Sequence, residues 1–159
     1  GFIHAVRVEL IDTLMNKRPN ASDVVKESMP IETFETKKSE TPLDNLIEWK
    51  SKLDIYMMES KAYENPELTI YDLSIPLDIH VKKLSQIINQ GYNMNFNDYV
   101  NQYRVQAVIK QMEAGNHSVQ TLLSLAYDCG FNSKSTFNRS FKRWTSTSPN
   151  DYVKKFLKK

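Results

Sequence analysis

Leu125-Ala126-Tyr127-Asp128-Cys129-Gly130-Phe131-Asn132-Ser133-Lys134-Ser135-Thr136-Phe137-Asn138-Arg139-Ser140-Phe141-Lys142-Arg143 is the stretch whose reading decides the fold. Leu125 and Ala126 close a short helical pattern. Cys129-Gly130-Phe131 is a tight turn, with glycine where a left-handed backbone is needed. Phe137 and Phe141 then stand four residues apart, one turn along the same face of a second helix. The outer positions of that helix are Lys134, Ser135, Asn138, Arg139 and Lys142, all hydrogen-bonding side chains. An ordinary solvated helix would carry a Glu/Lys mixture there. Short helix, tight turn and second helix make the helix-turn-helix layout.

The same layout recurs upstream. Ile70, Leu73, Ser74, Asp78 and Ile79 match Leu122, Leu125, Ala126, Gly130 and Phe131 at an offset of 52. After one inserted residue the offset is 53, and Leu84, Ile88, Asn95, Tyr99 and Val100 match Phe137, Phe141, Ser148, Tyr152 and Val153. Most of the matching positions are apolar, as they must be to fill the same core twice. The helix starts are also explicit. Thr69-x-x-Asp72, Asn95-x-x-Asp98 and Ser148-x-x-Asp151 each place a capping side chain three residues before an acid that opposes the helix dipole. Pro149 follows its cap at the first helical position, where its missing N–H costs nothing, and Ser118 is read as starting another helix. Gly115–Asn116 ends a long helix that carries Phe96, Tyr99, Val100, Tyr103, Ala107, Val108 and Met112. Further upstream Leu46, Ile47, Trp49, Leu53, Tyr56 and Met57 recur at helical spacing until Asn65–Pro66 breaks the chain. The spacing predicts an all-α fold of seven helices, at about 43–61, 70–77, 81–90, 96–114, 119–129, 133–144 and 149–157. They form two helix-turn-helix subdomains, about 66–92 and 118–145, joined by a linker helix at about 95–115. A plain helical bundle is the competing reading, and the short turn and polar outer faces weigh against it.

The rest of the chain narrows the function. It has 159 residues, 40% apolar and 25% charged, with four glycines and six prolines, a composition of a soluble globular protein without an all-β architecture. Gln120–Lys159 holds eight basic residues against two acidic ones, a net of +6, while Gly1–Ser60 holds eight against eleven, a net of −3. A basic end beside a mildly acidic one points to a polyanion partner. Cys129 is the single cysteine, so neither an intrachain disulfide nor a zinc cluster can form, and His4, His80 and His117 lack ligand spacing. No metal and no cofactor is expected. No paired carboxylates, nucleophile motif or phosphate loop indicates an enzyme. Phe2–Met15 is apolar-rich, but His4, Arg7, Glu9 and Asp12 interrupt it, so it reads neither as a membrane span nor as a signal peptide. Asn16–Pro42, with Pro19, Pro30 and Pro42 and few apolar residues, reads as a linker. The expected organisation is a tail and flexible linker over 1–42, the stub of something upstream, and a folded domain over 43–159.

These residues resemble the arabinose-regulator (AraC/XylS) family of bacterial transcription factors. The run from Leu125 to Arg143, followed by Ser148-Pro149 and Tyr152, carries the family's Leu-Ala step, Gly-Phe, spaced Ser, Phe-x-Arg-x-Phe-Lys, Thr/Ser-Pro and Tyr. Leu84-Ser85, Ile88-Asn89, Phe96, Tyr99 and Tyr103-Arg104 fit the upstream half, so the resemblance covers about Leu53 to Phe156. Asn93 and Ser146 stand where the family has glycine after each recognition helix, Asp78 replaces the glycine of the first turn, and Pro76 falls inside the first short helix, where it is expected to remove a hydrogen bond and kink it. Glu59-Ser60-Lys61-Ala62-Tyr63-Glu64-Asn65-Pro66-Glu67-Leu68-Thr69 further resembles the lead-in to this domain in membrane-linked or hybrid-sensor regulators of Bacteroidetes-type bacteria. The resemblance implies a cytoplasmic activator that binds double-stranded DNA, with an upstream sensor or membrane module tethering it in a longer parent chain.

By that resemblance the base-contacting positions are Lys82, Ser85 and Gln86 in the first unit and Lys134, Ser135 and Asn138 in the second. Amides such as Gln86 and Asn138 pair with adenine and lysines with guanine. Arg139 divides between a DNA contact and a structural partner of a carboxylate, and Lys83 between a contact and a surface lysine. Lys142, Arg143 and the tail lysines are assigned to phosphate. Arg104 is expected in an internal salt bridge, and Trp49 and Trp144 in packing. In the alternative, the first unit is an interaction module that contacts RNA polymerase or another protein, motivated by Pro76 and the apolar pair Ile87–Ile88, and the second unit alone reads DNA.

Overall fold

The computed structural model describes residues 45–158. The tail and linker assigned to 1–42 lie outside the described residues. Seven helices follow: α1 (Leu46–Ser60), α2 (Ile70–Ser74), α3 (Val81–Tyr92), α4 (Phe96–Glu113), α5 (Leu122–Asp128), α6 (Lys134–Thr145) and α7 (Pro149–Tyr152), which runs on as a π turn over Val153–Leu157. Two 3-10 turns, Ala62–Glu64 and Asn116–Ser118, precede α2 and α5. No strand occurs among the described residues.

Local chemistry sets the helix starts. Thr69 and Asp72 form a reciprocal capping box at α2, with the Thr69 N–H donating to the Asp72 carboxylate at 2.7 Å. Asn95 accepts from the Asp98 N–H at α4, and Ser148 from the Asp151 N–H at α7. Ser118 does not start α5. Its hydroxyl donates back to the Gly115 carbonyl at 2.7 Å inside the 3-10 turn, and Thr121 caps the helix by accepting from the Ser124 N–H. Helix α5 therefore begins at Leu122, three residues later than its sequence pattern suggests. Nor does Pro76 kink a helix. α2 stops at Ser74, and Pro76 lies in the turn beyond it, where its missing N–H breaks no helical ladder.

The helices enclose two cores. The first gathers Leu53 and Met57 from α1, Leu73 from α2, Leu84, Ile87 and Ile88 from α3, and Tyr99, Val100 and Tyr103 from the front half of α4. The second gathers Val105, Val108, Ile109 and Met112 from the back half of α4, Leu125 and Ala126 from α5, and Phe131, Phe137 and Phe141. Because α4 is packed into both, its apolar residues run around the helix instead of along one stripe. Phe131, Phe137, Phe141 and Tyr152 form an aromatic ladder with ring centres 5.3–5.8 Å apart, spacings typical of favourable edge and tilted pairs. In the first core the hydroxyls of Tyr99 and Tyr103 both donate to Asp54, from Tyr99 at 3.1 Å. Burial pushes the Tyr99 phenol well above its usual range, so it is a fixed donor. Trp49 and Trp144 pack against the first and second cores, as their sequence setting suggests. Ile47 does not: it is 75% exposed, because one residue beyond Leu46 rotates it about 100° off the buried face of α1.

Candidate nucleic-acid interface

The internal repeat of the sequence reappears bond for bond in the two turns. In the first, the N–H groups of Leu77, Asp78 and Ile79 donate to the carbonyls of Leu73, Ile75 and Ser74. In the second, those of Cys129, Gly130 and Phe131 donate to Leu125, Tyr127 and Ala126, each partner again displaced by 52. Both turns hinge on a left-handed residue, Asp78 at φ +49° and Gly130 at φ +100°. Aspartate tolerates that conformation where it is exposed. Gly130 has no such room, since a Cβ there would stand 2.1 Å from the Tyr63 carbonyl oxygen. Chain exit is repeated too: α3 ends at Asn93 (φ +54°) and α6 at Ser146 (φ +61°). Neither residue is glycine, yet each takes the glycine-like conformation.

Each turn delivers a helix with one apolar and one polar side. α3 buries Leu84, Ile87 and Ile88, and leaves Lys82, Lys83, Gln86 and Asn89 exposed, with Ser85 half-buried. α6 buries Phe137 and Phe141 and leaves Lys134, Ser135, Asn138, Arg139 and Lys142 exposed. Their first turns are fixed by side chains: the His80 ring Nδ1 accepts from the Lys82 N–H, and the Ser133 hydroxyl from the Thr136 N–H, both at 3.2 Å. Neither helix contains a single acidic residue, whereas α3 carries Lys82 and Lys83 and α6 carries Lys134, Arg139, Lys142 and Arg143. Two polar, cationic helix faces mounted on apolar cores can meet a polyanion with bases to read.

The candidate residues divide by their partners. Arg139 makes no ion pair with any described residue, so the carboxylate partner weighed for it is not found among them. The Lys83 ammonium lies 5.6 Å from the centre of the Trp49 ring, beside Lys52 at 4.8 Å, which turns it towards α1. Arg143, assigned to phosphate from sequence, instead pairs with Asp98 at 2.8 Å, tying the end of α6 to the first turn of α4. Sequence pattern marked Asp98 only as a helix-starting acid. Arg104 is internal, as expected, but makes no salt bridge with any described residue: it donates to the backbone carbonyls of Tyr63 (2.8 Å) and Asn65 (2.7 Å) and to the Asn101 side chain (3.2 Å). Ile87 and Ile88 are 6% and 0% exposed, so this pair fills the core and offers no docking surface. No helix among the described residues is long and apolar enough to cross a membrane.

Comparison with known proteins bears on this arrangement. Residues 74–155, just over half of the chain, match the family described as helix-turn-helix domain. A protein of unknown function from Listeria innocua is similar in structure, with 23% identity, a TM-score of 0.53, and coverage of 67% of this chain and 94% of that one. The C-terminal domain of the two-component response regulator yesN from Fusobacterium nucleatum is similar at 24% identity and a TM-score of 0.50, covering 66% of this chain and 97% of that one. At these identities the likeness is one of fold. No curated protein matches the chain.

Proposed function

This chain belongs to the helix-turn-helix domain family, of the AraC type found in DNA-binding transcription regulators, and we propose that it reads one duplex with both units at once. α3 and α6 would enter successive major-groove segments, roughly 34 Å apart on one face of the duplex. The observation that carries this reading is the repeated unit itself. Both copies have the same turn hydrogen bonds, the same left-handed hinge and an acid-free helix with its polar side out. On the first unit that face carries Lys82 and Lys83 and no acid, the sign of charge that a phosphate backbone requires.

In this reading Lys82, Ser85 and Gln86, and Lys134, Ser135 and Asn138, approach base edges, while Arg139 and Lys142 sit at the margin where phosphate is nearest. The amides specify, and the cations position and supply most of the affinity. The chemistry is recognition, with no bond made or broken. The alternative, in which only the second unit reads DNA, loses the apolar pair that motivated it, because Ile87 and Ile88 are buried. Selection from random duplexes decides between them. Two conserved blocks about one helical turn apart are expected, and a single block would favour the alternative. RNA polymerase and an upstream sensor or membrane module remain proposed partners, reached through surfaces other than α3 and α6.

A further inference from the structure

The two cores meet where α4 passes from one to the other, between Tyr103 and Val105. Arg104 stands at that crossing, 8% exposed, with no carboxylate at ion-pair distance among the described residues. Its guanidinium holds the backbone carbonyls of Tyr63 and Asn65, from the segment that joins α1 to α2. It also lies 6.0 Å from the centre of the Phe131 ring, just ahead of α6. The Tyr63 carbonyl faces the missing side chain of Gly130, where a Cβ would also come within 3.0 Å of the Arg104 Nε. The turn that launches α6 thus rests on backbone of the first unit, and Arg104 holds that backbone in place.

Burying a cation is costly, and well-packed apolar residues would join two cores at least as tightly. What a guanidinium adds is direction: a planar fork fixes the angles of the carbonyls it binds. We propose that Arg104 is a positioning residue that fixes α6 relative to α3, and so sets the one half-site spacing at which both helices reach base edges. The proposal rests on the two-unit reading above.

Arg104→Lys tests it, because lysine keeps the charge but not the fork. On the selected operator, the stretch between the two blocks is lengthened or shortened by one base pair at a time. The full wild-type chain is expected to lose about tenfold or more in affinity one step from its optimum, and the variant about threefold or less, with unchanged base preference inside each block. A second readout needs no DNA: the distance distribution between spin labels on Asn89→Cys and Lys142→Cys. The native Cys129 is buried, its thiol pushed up to about 11 by that burial, so it escapes labelling. The distribution should be narrow with Arg104 and broad with lysine. If the lysine variant does not fold, Asn101→Ala, which removes one partner of the same guanidinium, takes its place with the same expectations. A two-block wild-type motif with unchanged spacing preference and unchanged distances in a folded variant overturns the role of Arg104 alone. A single-block wild-type motif overturns the two-unit reading, and the spacing claim with it.

Discussion

Gln86 and Asn138 end in amides, which present a donor and an acceptor side by side, the pair that adenine offers in the major groove. Both are exposed on the outer sides of their helices. Lys142 is exposed in the last turn of α6, and in the proposed reading it contacts phosphate, a contact that does not depend on base sequence. Gln86→Ala and Asn138→Ala should therefore relax base preference, each by about 1–3 kcal/mol on the best site, while Lys142→Ala weakens all duplexes alike. Binding titrations on selected and scrambled duplexes separate the two patterns. Equal losses on both for all three variants would show that the contacts are sorted wrongly. These exposures were legible from spacing, because the apolar residues of α3 and α6 mark which side is inward. The partners of Arg104 were not. It binds backbone carbonyls some forty residues upstream, and a carbonyl is present at every residue, so no side-chain pattern announces it. The same holds for Arg143: a pairing with Asp98 across two helices is invisible where each is read within its own helix.

Among the elements, α6 depends most visibly on one side chain. Phe137 is almost fully buried between Phe131 and Phe141 and stands where Leu84 stands in the first unit. Phe137→Ala should destabilise the protein by about 3–5 kcal/mol, read as a lowered denaturation midpoint. A wild-type midpoint would mean that the helix is turned with its other side inward. The caps at Thr69, Asn95 and Ser148 are legible in the sequence because each cap accepts from the backbone N–H of the residue three positions on, a bond set by local spacing alone. The start of α5 is not legible in the same way, because neither Ser118 nor Thr121 has an acid three residues on, and no capping box separates the two candidates. The end of α2 was misread because its apolar pattern continues through Ile75 and Leu77 into the turn, where Leu77 still packs on the core without being helical. Where structure is local it was written plainly, and where tertiary packing decides, it was not.

For the whole molecule, electrostatics and connectivity carry separate expectations. If α3, α6 and the basic residues after α6 neutralise several phosphates, affinity should fall steeply and log-linearly with salt, because each neutralised phosphate releases a counterion. A flat salt response would contradict a phosphate-anchored interface. Residues 1–42 carry a net charge of −1, with Pro19, Pro30 and Pro42 spread through them. We read them as a tether, so their deletion should leave both affinity and a monomeric sedimentation profile unchanged. A large loss of affinity together with loss of a dimer would instead make Phe2–Met15 a dimerisation element. The central claim is that one chain reads two groove segments with two like units. Hydroxyl-radical footprinting on the selected operator tests it most directly. Two protected patches on one face of the duplex, about ten base pairs apart, are predicted, with Gln86→Ala weakening one and Asn138→Ala the other. A single patch, weakened by Asn138→Ala and indifferent to Gln86→Ala, would contradict it.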